Sequence, residues 1–193
     1  MTTTRKYEAL LFKIIATGYW TDFYIYPCVM VILLITAIWK LQVSFRLAIL
    51  LFFVGYFIWG FTEYFAHRYL FHYVPLFRTG HEEHHAHPKS FLGTPTWLTL
   101  TAYLLIAWGI AAVIGYGITA CLLAGFISGY YVYVSCHHIV HHWSIRPHTF
   151  LYRYKKFHDI HHYKKDVNFG VSWHIWDKVF RTYQESHHTT LNR

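Results

Sequence analysis

The sequence predicts an all-α membrane protein in which four transmembrane helices carry a histidine-rich helical cap. Three observations predict it. Charged residues make up 13% of the chain and hydrophobic ones 55%, whereas soluble domains carry about 25% charged residues. Long segments lack charge altogether. Histidine numbers 17, as many as Lys and Arg together, and most of these residues sit in four short clusters at the ends of the apolar segments or between them. A length of 193 residues suits one domain, taken here as residues 1–193.

Residues 1–18 read as an interfacial helix. Tyr7, Leu10, Leu11, Ile14 and Ile15 recur at helical spacing, while Arg5, Lys6, Glu8 and Lys13 lie elsewhere. Lys13 interrupts the apolar run, and no small-residue cleavage pattern follows, so a cleavable signal is not expected. Residues 19–136 hold four spans with an inserted histidine-rich loop. Phe23–Trp39 has no charge, and neither has Leu47–Thr62. The second of these extends to Phe65 if Glu63 sits at the interface or faces inward. Phe91–Cys136 contains no Asp, Glu, Lys or Arg. One crossing takes about 20 residues, so this stretch makes two helices, with the turn at Gly115-Tyr116-Gly117. A soluble bundle would show polar stripes on these helices, and they are absent. Residues 137–193 form a polar, basic, cytosolic helical cap with an irregular tail after Glu185. Cys28, Cys121 and Cys136 form no CxxC pair and read as small buried hydrophobes.

The formal charge is +8. The basic residues flank apolar spans, so an anionic membrane leaflet explains them and no nucleic-acid partner is expected. Of the 17 Lys and Arg, only Lys40 and Arg46 fall in the first short loop and none in the second. The other 15, with every histidine, then lie on one side, which the positive-inside rule makes cytoplasmic. The setting is a bacterial inner membrane or the endoplasmic reticulum.

The clusters are His67-x4-His72, His81-x2-His84-His85, His137-His138-x2-His141-His142 and His158-x2-His161-His162. On a helix, residues three and four apart share a face, so each HxxHH presents its imidazoles together. His67 and His72 lie some 140° apart on a regular helix at about 100° per residue. Either they serve different ions or the helix ends between them. In the third cluster, His137 with His141 and His138 with His142 are both i, i+4 pairs, and helical geometry alone does not choose. Clustered imidazoles would repel one another if protonated, and a metal relieves that. Imidazole suits iron, zinc, copper and nickel. About ten nitrogens exceed the needs of one ion and match two, with positions left open for substrate. His87, His138, His142, His148, His174, His187 and His188 read as bystanders. A carboxylate-bridged bundle would need two Glu-x-x-His motifs and two further glutamates. Only Glu82-Glu-His-His85 and the imitation Asp159-Ile-His-His162 approach that, with Glu63 left over. Asp159 and Glu82 or Glu83 are candidates to orient ligands by accepting an imidazole N–H. Tyr130, Tyr131, Tyr133 and Trp143 line a lipid path or form an interfacial belt.

These motifs resemble the fatty acid hydroxylase/sterol desaturase superfamily of membrane di-iron enzymes. The matching residues are His67 and His72; His81, His84 and His85; His137 and His141; and His158, His161 and His162. Asn168-Phe-Gly-Val-Ser and Trp176-Asp-Lys-Val-Phe resemble the C-terminal signature of that superfamily. The resemblance covers roughly residues 63–183 and selects His137 with His141 as the third pair. It implies four transmembrane helices and a cytosolic cap holding two iron ions, which zinc replaces in purified protein. It implies an enzyme, a monooxygenase that uses O2 to hydroxylate a membrane lipid. The nearest likeness is to acyl-chain hydroxylases of fatty acids or sphingolipids. Carotenoid or sterol hydroxylases and desaturases are the alternative within the superfamily. A non-catalytic metal-binding protein or transporter is the alternative outside it. Some members carry a fused cytochrome b5 domain. None is seen in these 193 residues, so the resemblance implies a separate electron-transfer protein.

Overall fold

The computed structural model describes the backbone of Thr3–Glu185, and the side chains from Gly18 onward except that of Leu76. The amphipathic side chains of residues 1–17 and the tail after Glu185 lie outside the described residues. Seven helices follow in order, with no strand among the described residues. They are α1 (Thr3–Ile35), α2 (Phe45–Phe65), α3 (Pro75–Ala86), α4 (Thr96–Ile114), α5 (Tyr116–His142), α6 (Phe150–Tyr163) and α7 (Ile175–Val179). Two of them run on into π-helical turns, α1 through Thr36–Lys40 and α2 through Ala66–Phe71. Four stretches are long and apolar enough to cross a membrane: Gly18–Lys40, Phe45–Phe71, Thr96–Ile114 and Tyr116–His142.

The chain forms two compact units. One comprises residues up to Trp59 with Ser90–Val134; the other comprises Gly60–Lys89 with the residues from Ser135 onward. In the first unit, Tyr26, Trp59, Ala107, Leu123, Ile127 and Tyr130 form a buried core. The outward faces stay apolar, with Trp108 and Val113 mostly exposed, as helices that face lipid require. A Cβ on Gly55 would lie 2.0 Å from the Leu122 carbonyl oxygen, and one on Gly125 would lie 1.9 Å from that of Phe52. α2 and α5 therefore touch backbone to backbone, the close approach that small residues permit between membrane helices.

α1 runs unbroken from Thr3 through the expected start of the first span at Phe23, and so takes in Asp22. That carboxylate is buried, and its charge is answered inside the unit. Thr96 donates to Oδ1 at 2.5 Å and Tyr130 to Oδ2 at 2.8 Å. Tyr130 is thus a core residue, not part of an interfacial belt or a lipid path. The turn between α4 and α5 is the single residue Gly115, at φ 88°. Positive φ is open to glycine without steric cost.

A ten-histidine metal centre

The metal-capable side chains all lie in the second unit. The end of α2 and its π-turn supply His67 and His72, α3 supplies His81, His84 and His85, α5 supplies His137 and His141, and α6 supplies His158, His161 and His162. Pro75 opens α3, and Thr149 caps α6 by accepting from the Tyr152 amide. The fold brings the ten imidazoles into two groups of five. His67, His72, His81, His85 and His161 make the first; His84, His137, His141, His158 and His162 make the second. Within each group the ligand atoms lie within 4.8 Å of one another.

Local geometry explains this membership. In a π-helix the hydrogen bond runs from i to i+5, so residues five apart stack. The π-turn Ala66–Phe71 therefore brings His67 and His72 together, ring centroids 5.5 Å apart and planes within 16°. The geometry follows neither expectation for this pair: both imidazoles fall in one group, and the helix continues by changing its winding. On α3, His81 and His85 are about 40° apart around the axis, while His84 sits about 60° to the other side of His81. The i, i+4 pair enters the first group and His84 the second. α6 does the reverse, giving His158 and His162 to the second group and His161 to the first. Each group thus holds two pairs and one single imidazole, and each HxxHH serves both groups.

The Nε2 atoms converge. His81 lies 3.1 Å from His67 and 3.0 Å from His85. The second group runs His84 to His137 at 3.0 Å, His137 to His141 at 3.2 Å, His141 to His158 at 2.9 Å and His158 to His162 at 3.1 Å. Two nitrogens about 2.1 Å from one ion and about 90° apart are ~3.0 Å from each other; a tetrahedral pair is ~3.4 Å apart. These spacings suit an ion with more than four ligands.

The tautomers agree with that reading. A carbonyl only accepts, so His67 Nδ1 donates to the Phe169 oxygen at 2.5 Å and His161 Nδ1 to that of Val167 at 2.8 Å. Their Nε2 atoms then carry bare lone pairs, the form that binds metal. The Nε2 atoms of His161 and His72 are buried without a hydrogen-bond partner, which is what an ion would remedy. Burial lowers the imidazoles first, and neighbouring imidazoles lower them further. His84 and His85 fall to about 3 and His161 to about 2. His162 falls to about 4 through burial, with Lys155 adding to it. These four imidazoles are neutral at physiological pH.

Asp159, Glu82 and Glu83 do not orient the ligands. Lys155 pairs with Asp159 at 3.6 Å, Arg78 with Glu82 at 3.6 Å and His87 with Glu83 at 3.0 Å. The backbone of Val167 and Phe169 takes the orienting role, and a main-chain carbonyl leaves no side-chain signature to find. Glu63 faces inward but belongs to neither group, and the carboxylate-bridged alternative has no geometry here. His138 and His142 stack on each other, centroids 4.7 Å apart, and His174 stacks on Phe157 at 3.8 Å. None of these three enters a group.

A family model for fatty acid hydroxylases matches residues 52–182. The chain belongs to the fatty acid hydroxylase family. Similar members include the ceramide very long chain fatty acid hydroxylase of Saccharomyces cerevisiae, 34% identical over 70% of this chain and 38% of that protein. A dihydroceramide fatty acyl 2-hydroxylase of Arabidopsis thaliana is 37% identical, over 67% of this chain and 58% of that protein. The human fatty acid 2-hydroxylase is 29% identical, over 68% and 39%. The chain thus spans about two to three fifths of the length of the curated relatives it matches. A solved structure of full-length Scs7p, in which only the hydroxylase domain is visible, matches with a TM-score of 0.75. It is 30% identical and covers 87% of this chain and 67% of that one.

Proposed function

We propose that this hydroxylase-family chain works as one domain that binds two iron ions and hydroxylates the acyl chain of a membrane fatty acid or sphingolipid. The observation that carries the reading is the pair of five-imidazole groups with converging Nε2 atoms. His67, His72, His81, His85 and His161 hold one ion; His84, His137, His141, His158 and His162 hold the other. Iron bound there supplies O2 reduction and the oxidising power for a C–H bond, with electrons from a separate protein. The relatives' names point to an acyl chain as substrate.

The chain's own part is ligation, orientation and exclusion of water. Ten neutral ligands leave the full positive charge of the ions uncompensated, unlike a carboxylate cage. Burial of His67, His84, His158 and His161 keeps water from competing for the ions. The lipid comes from the bilayer, and the metal-bearing end faces the cytoplasm. Purified protein loaded with ferrous iron and given an electron donor should consume O2 only when lipid is added, and mass spectrometry should find a product heavier by one oxygen. Two bound ions without lipid-dependent O2 uptake would favour a non-catalytic metal protein. Zinc recovered from purified protein does not count against iron, because imidazole accepts both.

A further inference from the structure

The loop Val167–Ser172 joins α6 to α7 and carries the two carbonyls that accept from His161 and His67. Its amides are all engaged on the other side. Phe169 and Gly170 donate to Asp177 Oδ1 and Oδ2, each at 2.8 Å. Val171 and Ser172 donate to Glu63 Oε1 at 2.6 and 2.7 Å, and the Ser172 hydroxyl donates to Oε2. Asp177 and Glu63 are 0% and 2% exposed. Thr182 adds a further hydroxyl to Asp177 at 2.7 Å. Asn168 stands at φ 56°, and its side chain ties the loop to Phe157 and Gln184. A Cβ on Gly170 would lie 2.1 Å from the Trp173 carbonyl oxygen, so the loop packs here against its own backbone.

We propose that Asp177 and Glu63 are positioning residues for the first imidazole group. They fix the loop by its amides, and the loop fixes the tautomer and ring plane of His67 and His161 by its carbonyls. The inference rests on the two-metal reading. Neither carboxylate is a ligand; their oxygens are spent on amides and hydroxyls. The support is one-sided, since the two imidazoles that the loop carbonyls orient, His67 and His161, both belong to the first group. The two carboxylates therefore set the metal affinity of the first group alone. Charge-assisted bonds of this kind are roughly twice as strong as neutral ones, which suits them to hold a loop against the pull of an ion.

The test is a chelator titration of the full chain in detergent, loaded with two equivalents of zinc. Asp177→Asn places an amide donor against a backbone amide donor. It should weaken one of the two ions by about 10–100-fold and leave the other unchanged. Glu63→Gln keeps an acceptor for both amides and can still pair with Ser172, so it should weaken the same ion less. It also carries the test if Asp177→Asn does not fold. In a His72→Ala chain, where the first group has lost a ligand, the ion that remains should not respond to Glu63→Gln. Parallel weakening of both ions, or a response in the His72→Ala chain, overturns the proposal, as does no change with either variant. A parent chain holding fewer than two ions overturns the two-metal reading and this proposal with it.

Discussion

His138 and His141 differ by three positions on α5, yet only His141 enters a metal group, 2.9 Å from His158. His141→Ala should lower metal affinity at one site by at least about 10–100-fold and abolish hydroxylation. His138→Ala should leave two ions bound, as elemental analysis will show; the reverse result would move the pair to His138 and His142. Spacing alone leaves that choice open, because both pairs are i, i+4, and the packing of α5 beside α6 makes it. The ten imidazoles themselves were legible as clusters. Their division into groups was not, because it depends on how two HxxHH helices face each other. Titration follows from the same residues. His84, His85 and His162 stand at about 3, 3 and 4, below the ordinary value of about 6.5. The unfolded chain therefore binds more protons between those values, and the metal-free fold is most stable above about pH 6.5 and weakens as pH falls through that window. In the folded chain protons compete for these ligands only near their own values, so bound metal should leave as pH falls below about 4. Full occupancy after dialysis at about pH 2 would count against histidine ligation.

At the scale of elements, the π-turn after α2 makes the first group possible. Deleting Leu70, which points outward, turns His67 and His72 into an i, i+4 pair. An α-helical turn would then keep them together as it keeps His137 and His141. Such a chain should still bind two ions, whereas inserting one residue after Leu70 should cost an ion; equal metal content in both would refute the account. Nothing in the sequence from Ala66 to Phe71 announces a π-turn except the spacing itself. Helix contact sets a second expectation. Gly125→Ala would drive a methyl into the Phe52 carbonyl, and overpacking of this kind costs about 1–3 kcal/mol or more. Thermal unfolding in detergent should show a marked drop, and an unchanged midpoint would mean the helices can part freely. The spans were legible because lipid-facing helices lack charge. The burial of Asp22 was not, because a carboxylate looks like a boundary until Thr96 and Tyr130 are seen to satisfy it.

For the molecule as a whole, the open question is which side of the membrane each loop faces. The split of basic residues, with only Lys40 and Arg46 in the first loop, predicts the α1–α2 loop outside and the histidines inside. In a background without native cysteines, Ser44→Cys should react with an impermeant thiol reagent from outside, and Ser144→Cys only from inside. Both positions are exposed. Labelling of both from one side would refute the four-span arrangement. The connections at the end away from the histidines have a practical consequence. α1 with its π-turn is joined to α2 by residues 41–44 alone, and α4 to α5 by Gly115 alone. A Cβ on Gly117 would lie 2.6 Å from Val43, so the first turn of α5 packs against the α1–α2 connection. With four residues in one connection and one in the other, that end offers a protease or an antibody little extended chain. Should labelling place these connections outside, tools meant to capture the protein in intact cells would have to rely on a folded surface and not on a loop.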